Sequence, residues 1–268
     1  MSLNLLQRIV VAAIFGPLIL FCAYLGGVPF LTILLIIAIG ILYEMSQIFK
    51  ATQTFPAALF TYFLAACILI NAQYNFFSTA HLIVFAVALL SSAEVFRKHG
   101  SPIHNVGAGL LAILYAPLCF STLLELRKSE PDGYFTMMIF IGVWAADTAA
   151  YFGGKYFGQK LIKTKFFERH SPNKTWEGFL SGLLACVGVT LGFGRAWLTT
   201  VSFLHLFMIG ILLGVLSAIG DLIESMFKRE SGLKDSSHLI PGHGGFFDRF
   251  DSLCIASPAV FLYVKYAL

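Results

Sequence analysis

Apolar runs of about 20 residues, a length that crosses a hydrocarbon core about 30 Å thick as a helix, follow one another along this chain. Only 12% of its 268 residues are charged, whereas soluble domains carry about 25%. A soluble globular protein is excluded on this ground. The sequence therefore predicts an all-α fold, a polytopic helical bundle that is integral to a membrane.

Nine apolar segments can be delimited, separated by breaks that carry Gly, Pro or charged residues. The sequence thus predicts about nine transmembrane helices in a single membrane domain. The segments are residues 9–25, 28–48, 55–71, 77–96, 103–124, 134–153, 176–198, 203–227 and 250–267.

The distribution of basic residues gives the predicted orientation. With nine spans, 14 of the 18 Lys and Arg residues fall on the side of the N-terminus. The positive-inside rule then places the N-terminus in the cytoplasm and the C-terminus outside. An added or lost early span would destroy this asymmetry, so it supports the number of spans. The other side holds Arg127, Lys128, Arg195 and Lys265.

Glycines spaced four residues apart recur in the later spans. This spacing lets helix backbones approach closely in lipid, so we expect it to serve packing within the bundle. A homodimer interface is the alternative. The pairs are Gly178/Gly182, Gly188/Gly192 and Gly210/Gly214.

Three segments of the second half gather charge on the predicted cytoplasmic side. The first is Trp144–Gly158, in which Asp147 lies inside an apolar span. An ionisable group there usually faces a partner or a water-filled cavity. Asp147 is therefore a candidate binding residue, with a hydrogen-bonded packing role as the alternative.

The second segment, Glu168–Gly178, leads into the seventh helix. Ser171, Asn173 or Thr175 is expected to cap that helix, and its free amides would point at an anion. Lys174 lies within the cap and would add a full positive charge. Ordinary capping is the alternative for this segment.

The third segment, Gly220–Ser252, carries acids on two helices. Asp221, Ser225 and Lys228 share one face of the eighth helix, with Glu224 close to it. Asp248 and Asp251 stand three residues apart where the ninth helix begins. Carboxylates of this kind suit Mg²⁺, which is usually bound by one or two of them together with phosphates.

Basic residues surround these acids and would neutralise phosphate charge, as phosphoryl or nucleotidyl transfer requires. His243 is a candidate general acid or base, and a hydrogen bond within its loop is the alternative. The basic residues of this segment are Lys228, Arg229, Lys234 and Arg249.

The same segment resembles the signature of the CDP-diacylglycerol synthases, or phosphatidate cytidylyltransferases. The 27 matching residues are Ser225-x-x-Lys228-Arg229-x₄-Lys234-Asp235 and Pro241-x-His243-Gly244-Gly245-x-x-Asp248-Arg249-x-Asp251, with the residues between them. The stretch from Ser171 to Gly178 is also similar to that family. The first hundred residues match only in being apolar.

The resemblance implies an enzyme of the bacterial inner membrane that condenses CTP with phosphatidic acid, with Mg²⁺ as cofactor. Residues 1–100 would form a scaffold or lipid groove, and residues 101–268 a catalytic region facing the cytoplasm. Membrane lipids are expected partners, and nucleic acid is not.

The resemblance also implies roles for individual residues. Metal ligands would be Asp221 and Asp248, with Asp251 as a ligand or a support. Residues that hold phosphates or act in catalysis would be Lys228, Arg229, Asp235, His243 and Arg249. Residues that bind substrate would be Asp147, Asn173, Lys174, Glu177, Ser225 and Lys234.

Two other functions remain open at this point. A CTP-dependent kinase of a lipid alcohol such as a polyprenol would transfer the γ-phosphoryl group, with His243 or Asp235 as the base. A transporter would line an ion path with its intramembrane acids. Transporters often show corresponding features in both halves, whereas the acids here cluster in the second half.

Overall fold

The computed structural model describes residues 3–98, 100–233, 236–237, 239–240, 242 and 244–268, apart from the side chains of 3–6 and 8, and this part of the chain is mostly α-helical. Two short strands, β1 (Lys165–Phe167) and β2 (Ser171–Thr175), pair antiparallel. The predicted all-α fold is confirmed. The helices are α1 (Leu3–Leu25), α2 (Gly27–Ala51), α3 (Ala58–Tyr74), α4 (Thr79–Val95), α5 (Pro102–Ile113), α6 (Cys119–Ser129), α7 (Tyr134–Phe157), α8 (Trp176–Trp197), α9 (Phe203–Glu230) and α10 (Phe247–Ala267).

Each predicted apolar segment coincides with helix in the described residues. The fifth segment is formed by α5 and α6 together, joined by a π-helical turn, Leu114–Leu118, that contains Pro117. A wider turn suits proline, which has no amide hydrogen to donate to the helix. In the part of the chain that the structure describes, five helical segments are long and apolar enough to span a membrane, so the chain is an integral membrane protein: Gly27–Ala51, Pro102–Ser129, Tyr134–Phe157, Trp176–Trp197 and Phe203–Glu230.

The chain forms two compact units. The first comprises Met1–Ser129 and Phe227–Phe250, and the second Glu130–Met226 and Asp251–Leu268. Helices α9 and α10 therefore each contribute residues to both units. The predicted division by role at residue 100, into a scaffold and a catalytic region, stays a prediction.

The core of the first unit includes a cluster of α3, α4 and α5 side chains. Aliphatic residues spaced three to four positions apart on each helix bring their side chains to one face, and burial of that face stabilises the packing. The members of the cluster are Leu64, Ile68, Ala86, Leu90 and Ile113.

Two basic residues at the end of α6 bind the ends of other helices in this unit. Arg127 donates to the carbonyl oxygens of Ala23 and Tyr24 at the end of α1, at 2.6 Å each. Lys128 donates to the carbonyl oxygen of Ala72 near the end of α3. The last carbonyls of a helix lack intrahelical partners and attract cations. The C-terminal ends of α1, α3 and α6 thus lie together.

Glycines bring the helices of the second unit into close contact. A Cβ added at Gly178 of α8 would lie 2.9 Å from the carbonyl oxygen of Ala150 in α7. One added at Gly210 of α9 would lie 2.8 Å from Cα of Val187 in α8. The predicted role of such glycines in packing is confirmed here. Gly188 and Gly192 differ, since an added Cβ meets nothing within 4 Å of either.

Candidate active site

Three carboxylates of the second unit come together where α9 and α10 pack. One oxygen each of Asp221, Glu224 and Asp251 lies within 4.8 Å of the others. Glu224 and Asp251 are buried and Asp221 is partly exposed. Asp221 and Glu224 stand three residues apart and so lie on the same face of α9. The sequence predicted Asp221 and Asp251 as site residues, and the structure adds Glu224 to them.

The backbone of α9 makes this group possible. A Cβ added at Gly220 would lie 2.6 Å from the carbonyl oxygen of Asp251 and 2.7 Å from Cα of Ser252. Ser252 Oγ also donates to the carbonyl oxygen of Ser217, 3.0 Å away. Glycine at position 220 therefore lets α10 approach α9 closely enough for the carboxylates to meet.

Lys174 offsets part of the negative charge of this group. Its Nζ lies 2.6 Å from Asp221 Oδ2, and both side chains are partly exposed. Lys174 is held in place by β2, which ends at Thr175. The sequence predicted that Lys174 serves the nucleotide, and the structure brings it to an acid of the predicted metal site.

Thr175 is the residue that caps α8, among the three candidates from the sequence. Its side-chain oxygen accepts from the amide of Gly178 at 3.1 Å. Ser171 and Asn173 lie in β2. The cap fixes where the strand ends and the helix begins, and thereby the direction in which Lys174 leaves the backbone.

Glu177 holds the loop that follows α7. Its buried carboxylate accepts from the backbone amides of Gln159, Leu161 and Ile162, at 3.2, 3.0 and 2.8 Å. A carboxylate with three amide donors is well satisfied. The predicted contribution of Glu177 to substrate binding is therefore one that it would make through this loop.

Asp248 lies in the first unit, in a separate set of contacts. Its Oδ1 is 2.7 Å from Nζ of Lys228, and its Oδ2 accepts from the amide of Gly245 at 2.9 Å. Ser236 Oγ lies 2.7 Å from the same oxygen. The salt bridge is largely buried, since the two side chains are 13% and 14% exposed.

The remaining predicted residues are distributed as follows. Arg229 and Arg249 are exposed on α9 and α10, and Ser225 is half-buried on α9. Asp147 on α7 and Asn173 on β2 are exposed. Lys234, Asp235 and His243 lie outside the described residues, so their predicted roles stay predictions.

Glu44 of α2 is a polar residue of this region that the sequence did not single out. Its carboxylate is fully buried and accepts from the backbone amides of Phe246 and Phe247, at 2.8 and 2.7 Å. An acid inside an apolar span is a functional candidate in itself, and that signal was present at position 44.

The chain is similar to known proteins over nearly its whole length. Residues 6–267 match the model of the cytidylyltransferase family. A phosphatidate cytidylyltransferase of Bacillus subtilis is 32% identical over 268 residues, which cover 98% of this chain and 97% of the relative. One of Brucella melitensis is 34% identical over 97% of this chain and 93% of its own length. One of Synechocystis is 31% identical over 96% of each.

Proposed function

This chain belongs to the cytidylyltransferase family, and we propose that it condenses CTP with phosphatidic acid to CDP-diacylglycerol and pyrophosphate. The observation that carries the proposal is the similarity, over nearly the whole chain, to relatives named phosphatidate cytidylyltransferase. The product is an activated lipid for phospholipid synthesis. The soluble substrate would enter from the cytoplasm and the lipid substrate from the bilayer.

The chemistry of this reaction fits the charged residues of the chain. An anionic oxygen of phosphatidate attacks the α-phosphorus of CTP, the bond between that phosphorus and the bridging oxygen to the β-phosphorus breaks, and pyrophosphate leaves. The attacking oxygen is already ionised near neutral pH, so no strong base is needed. The protein has to supply positive charge and correct placement of the two phosphates.

The carboxylates of Asp221, Glu224 and Asp251 suit Mg²⁺, because hard oxygen ligands are those this ion prefers. When bound, Mg²⁺ would polarise the phosphate and offset the charge of the leaving group. Lys174 would hold Asp221 in position and share in neutralising the nucleotide. The role of Asp248 as a metal ligand stays a prediction, and in the structure its oxygens contact Lys228, Ser236 and Gly245.

The proposed roles of the other residues follow from their charge. Lys228, Arg229 and Arg249 would hold phosphates, and Asn173 would assist Lys174 with CTP. Glu177 would act through the loop that it holds. Lys234, Asp235 and His243 complete the proposed set, together with Asp147 and Ser225.

The proposed membrane arrangement has nine spans, with the N-terminus in the cytoplasm of a bacterial inner membrane and the C-terminus outside. In a chain that crosses the membrane back and forth, the ends of the first, third and fifth spans lie on the same side. The contacts of Arg127 and Lys128 join these three ends and so support the arrangement. Helices of 17 residues are about 25 Å long and would require slight thinning of the bilayer. The homodimer stays a prediction.

The nearest alternative is transfer of the γ-phosphoryl group from CTP to a lipid alcohol, with release of CDP. The relatives' names favour cytidylyl transfer over this reaction. The two reactions differ in their soluble product, and this difference makes them easy to separate.

A pyrophosphate assay tests the proposal. Purified protein in detergent would receive Mg²⁺, CTP and phosphatidate, with diacylglycerol or a polyprenol replacing phosphatidate in control reactions. We expect pyrophosphate release that depends on both CTP and phosphatidate. Release of CDP in the presence of a lipid alcohol, without pyrophosphate, would overturn the proposal and show that the protein is a lipid-alcohol kinase.

A further inference from the structure

Glu44, in the second helix of the chain, binds residues near the C-terminal end that belong to the segment resembling the family signature. Four groups surround its carboxylate: the hydroxyls of Ser236 and Ser237, at 2.8 and 2.5 Å, and the amides of Phe246 and Phe247. Glu44 is 0% exposed. A buried carboxylate is tolerated only where its oxygens are hydrogen-bonded, and each oxygen of this one lies near one backbone amide and one hydroxyl.

The fit between α2 and this segment is close. A Cβ added at Gly245 would overlap the Glu44 carboxylate, and one added at Gly40, one turn earlier on α2, would overlap the ring of Phe246. The two amides bound by Glu44 are those of Phe246 and Phe247, where α10 begins. A carboxylate at that position satisfies amides that have no partner within the helix and lies favourably in its dipole.

The same contacts lead from Glu44 to Asp248. Ser236 Oγ lies 2.8 Å from Glu44 Oε2 and 2.7 Å from Asp248 Oδ2. A hydroxyl has one proton to donate, so the two carboxylates share one donor. Gly245, whose amide donates to Asp248, directly precedes the amides held by Glu44. Glu44 thus holds Ser236 directly and holds the residues next to Gly245, and both Ser236 and Gly245 hydrogen-bond to Asp248.

We propose that Glu44 is a positioning residue of the transferase, which holds residues 244–247 and, through Ser236, sets the orientation of Asp248. Its effect on the rate rests on the proposed function. Its effect on the segment does not, because it follows from the contacts alone.

The variant Glu44→Gln tests the proposal. A glutamine presents an amide nitrogen on one side, and in either orientation that nitrogen faces the amide of Phe246 or of Phe247. One backbone donor then loses its acceptor. For the folded variant we expect kcat to fall about 100-fold, as small misplacements in active sites do, while KM for phosphatidate stays within about threefold. We also expect faster hydrogen–deuterium exchange in residues 244–250.

Glu94→Gln is the matched control. Glu94 is also buried in the first unit, where it accepts from Arg97 and Asn105 at 2.8 and 3.0 Å. Among the described residues, no hydrogen bond or ion pair joins it to residues 236–248. We expect this variant to keep kcat within about twofold and to leave exchange in residues 244–250 unchanged.

A second pair of variants keeps the test decisive if Glu44→Gln does not fold. Ser236→Ala removes the shared hydroxyl and leaves the amide contacts of Glu44 in place, whereas Ser236→Thr retains a hydroxyl. We expect kcat to fall about 10-fold in the first, as for supporting residues around a site, and to recover in the second.

Two results would overturn the inference: unchanged exchange and kcat in folded Glu44→Gln, or wild-type kcat in Ser236→Ala. If the wild-type protein released no pyrophosphate, the proposed function would fail instead. Hydrogen–deuterium exchange in residues 244–250 of Glu44→Gln would then still decide whether Glu44 positions residues 244–247.

Discussion

Asp221, Glu224 and Asp251 bring one side-chain oxygen each within 4.8 Å of the others, and two of these acidic residues are buried. Like charges at this separation repel unless a cation joins them, and burial strengthens the repulsion. Lys174 supplies one positive charge at 2.6 Å from Asp221. The group therefore has the charge and the ligand atoms for a divalent cation.

Asp251→Asn should separate a metal-binding role from a structural one. The amide keeps the size of the side chain but removes its charge, so we expect pyrophosphate release to fall at least about 100-fold, the effect of losing one stabilising group in a charged site. Binding of Mn²⁺, measured by electron paramagnetic resonance, should weaken in parallel. Asp132→Asn, at an exposed acid outside the group, is the control. Equal Mn²⁺ binding in Asp251→Asn and wild type would contradict the assignment.

Lys174→Ala tests the nucleotide contact. Charge-assisted contacts contribute about 1.5–3 kcal/mol, so we expect kcat/KM for CTP to fall roughly 10- to 100-fold. Lys165→Ala is the control, because Lys165 pairs with Glu168 in an exposed salt bridge of small energetic value. An equal loss in both variants, measured by initial rates over a range of CTP concentrations, would remove Lys174 from the site.

Sequence patterns identified individual site residues only where neighbouring residues in the chain marked them. Asp221 and Asp251 stood out because each lies among charged residues that follow or precede an apolar run. Glu224 was noticed near the same face and not assigned, since spacing alone does not show which carboxylate turns toward α10. Glu44 was missed because its partner Ser236 is 192 residues away, a separation that no local pattern bridges.

At the scale of elements, the apolar runs predicted the positions of the helices well. They did not predict the short strands or the π-helical turn. The predicted spans 28–48 and 203–227 correspond to α2 and α9. Helix α9 runs on to Glu230, which places Lys228 and Arg229 on it as predicted. The β1–β2 hairpin was not predicted, because Ser171–Thr175 also has the composition of a helix cap. The π-helical turn at Leu114–Leu118 leaves the hydrophobic pattern unchanged and could not be seen in it.

Gly220→Ala tests the packing of α9 on α10. The added methyl group would overlap the backbone of Asp251 and Ser252, and such overpacking costs about 1–3 kcal/mol. We expect a lower midpoint of thermal unfolding in detergent and a reduced rate of pyrophosphate release. Gly188→Ala is matched to it, since that position is open and alanine favours a helix by up to about 1 kcal/mol. A midpoint for Gly220→Ala at or above that of Gly188→Ala would contradict the packing described.

At the scale of the whole molecule, the distribution of basic residues predicts the orientation, and the helix contacts show which helix ends lie together. Of the four basic residues predicted outside, Arg127 and Lys128 bind helix ends of α1 and α3. Their positions thus have a structural reason. The larger set of basic residues predicted in the cytoplasm is typical of a topology signal.

Fusion of reporters to the C-terminus tests this orientation. Alkaline phosphatase should be active there and green fluorescent protein dark in bacterial cells, because the C-terminus is predicted outside. Fusions after Ser129 should behave in the same way, and fusions after Phe157 in the opposite way. A fluorescent C-terminal fusion would contradict the predicted arrangement of nine spans with a cytoplasmic N-terminus.

The fate of the phosphates of CTP tests the central claim most directly. Purified protein would be incubated with Mg²⁺, phosphatidate and CTP labelled at the α- or the γ-phosphorus, beside Asp221→Asn. We expect α-label in the lipid, γ-label in pyrophosphate, and neither product in the variant. Transfer of γ-label to a lipid, or absence of lipid labelling by the wild-type protein, would contradict it.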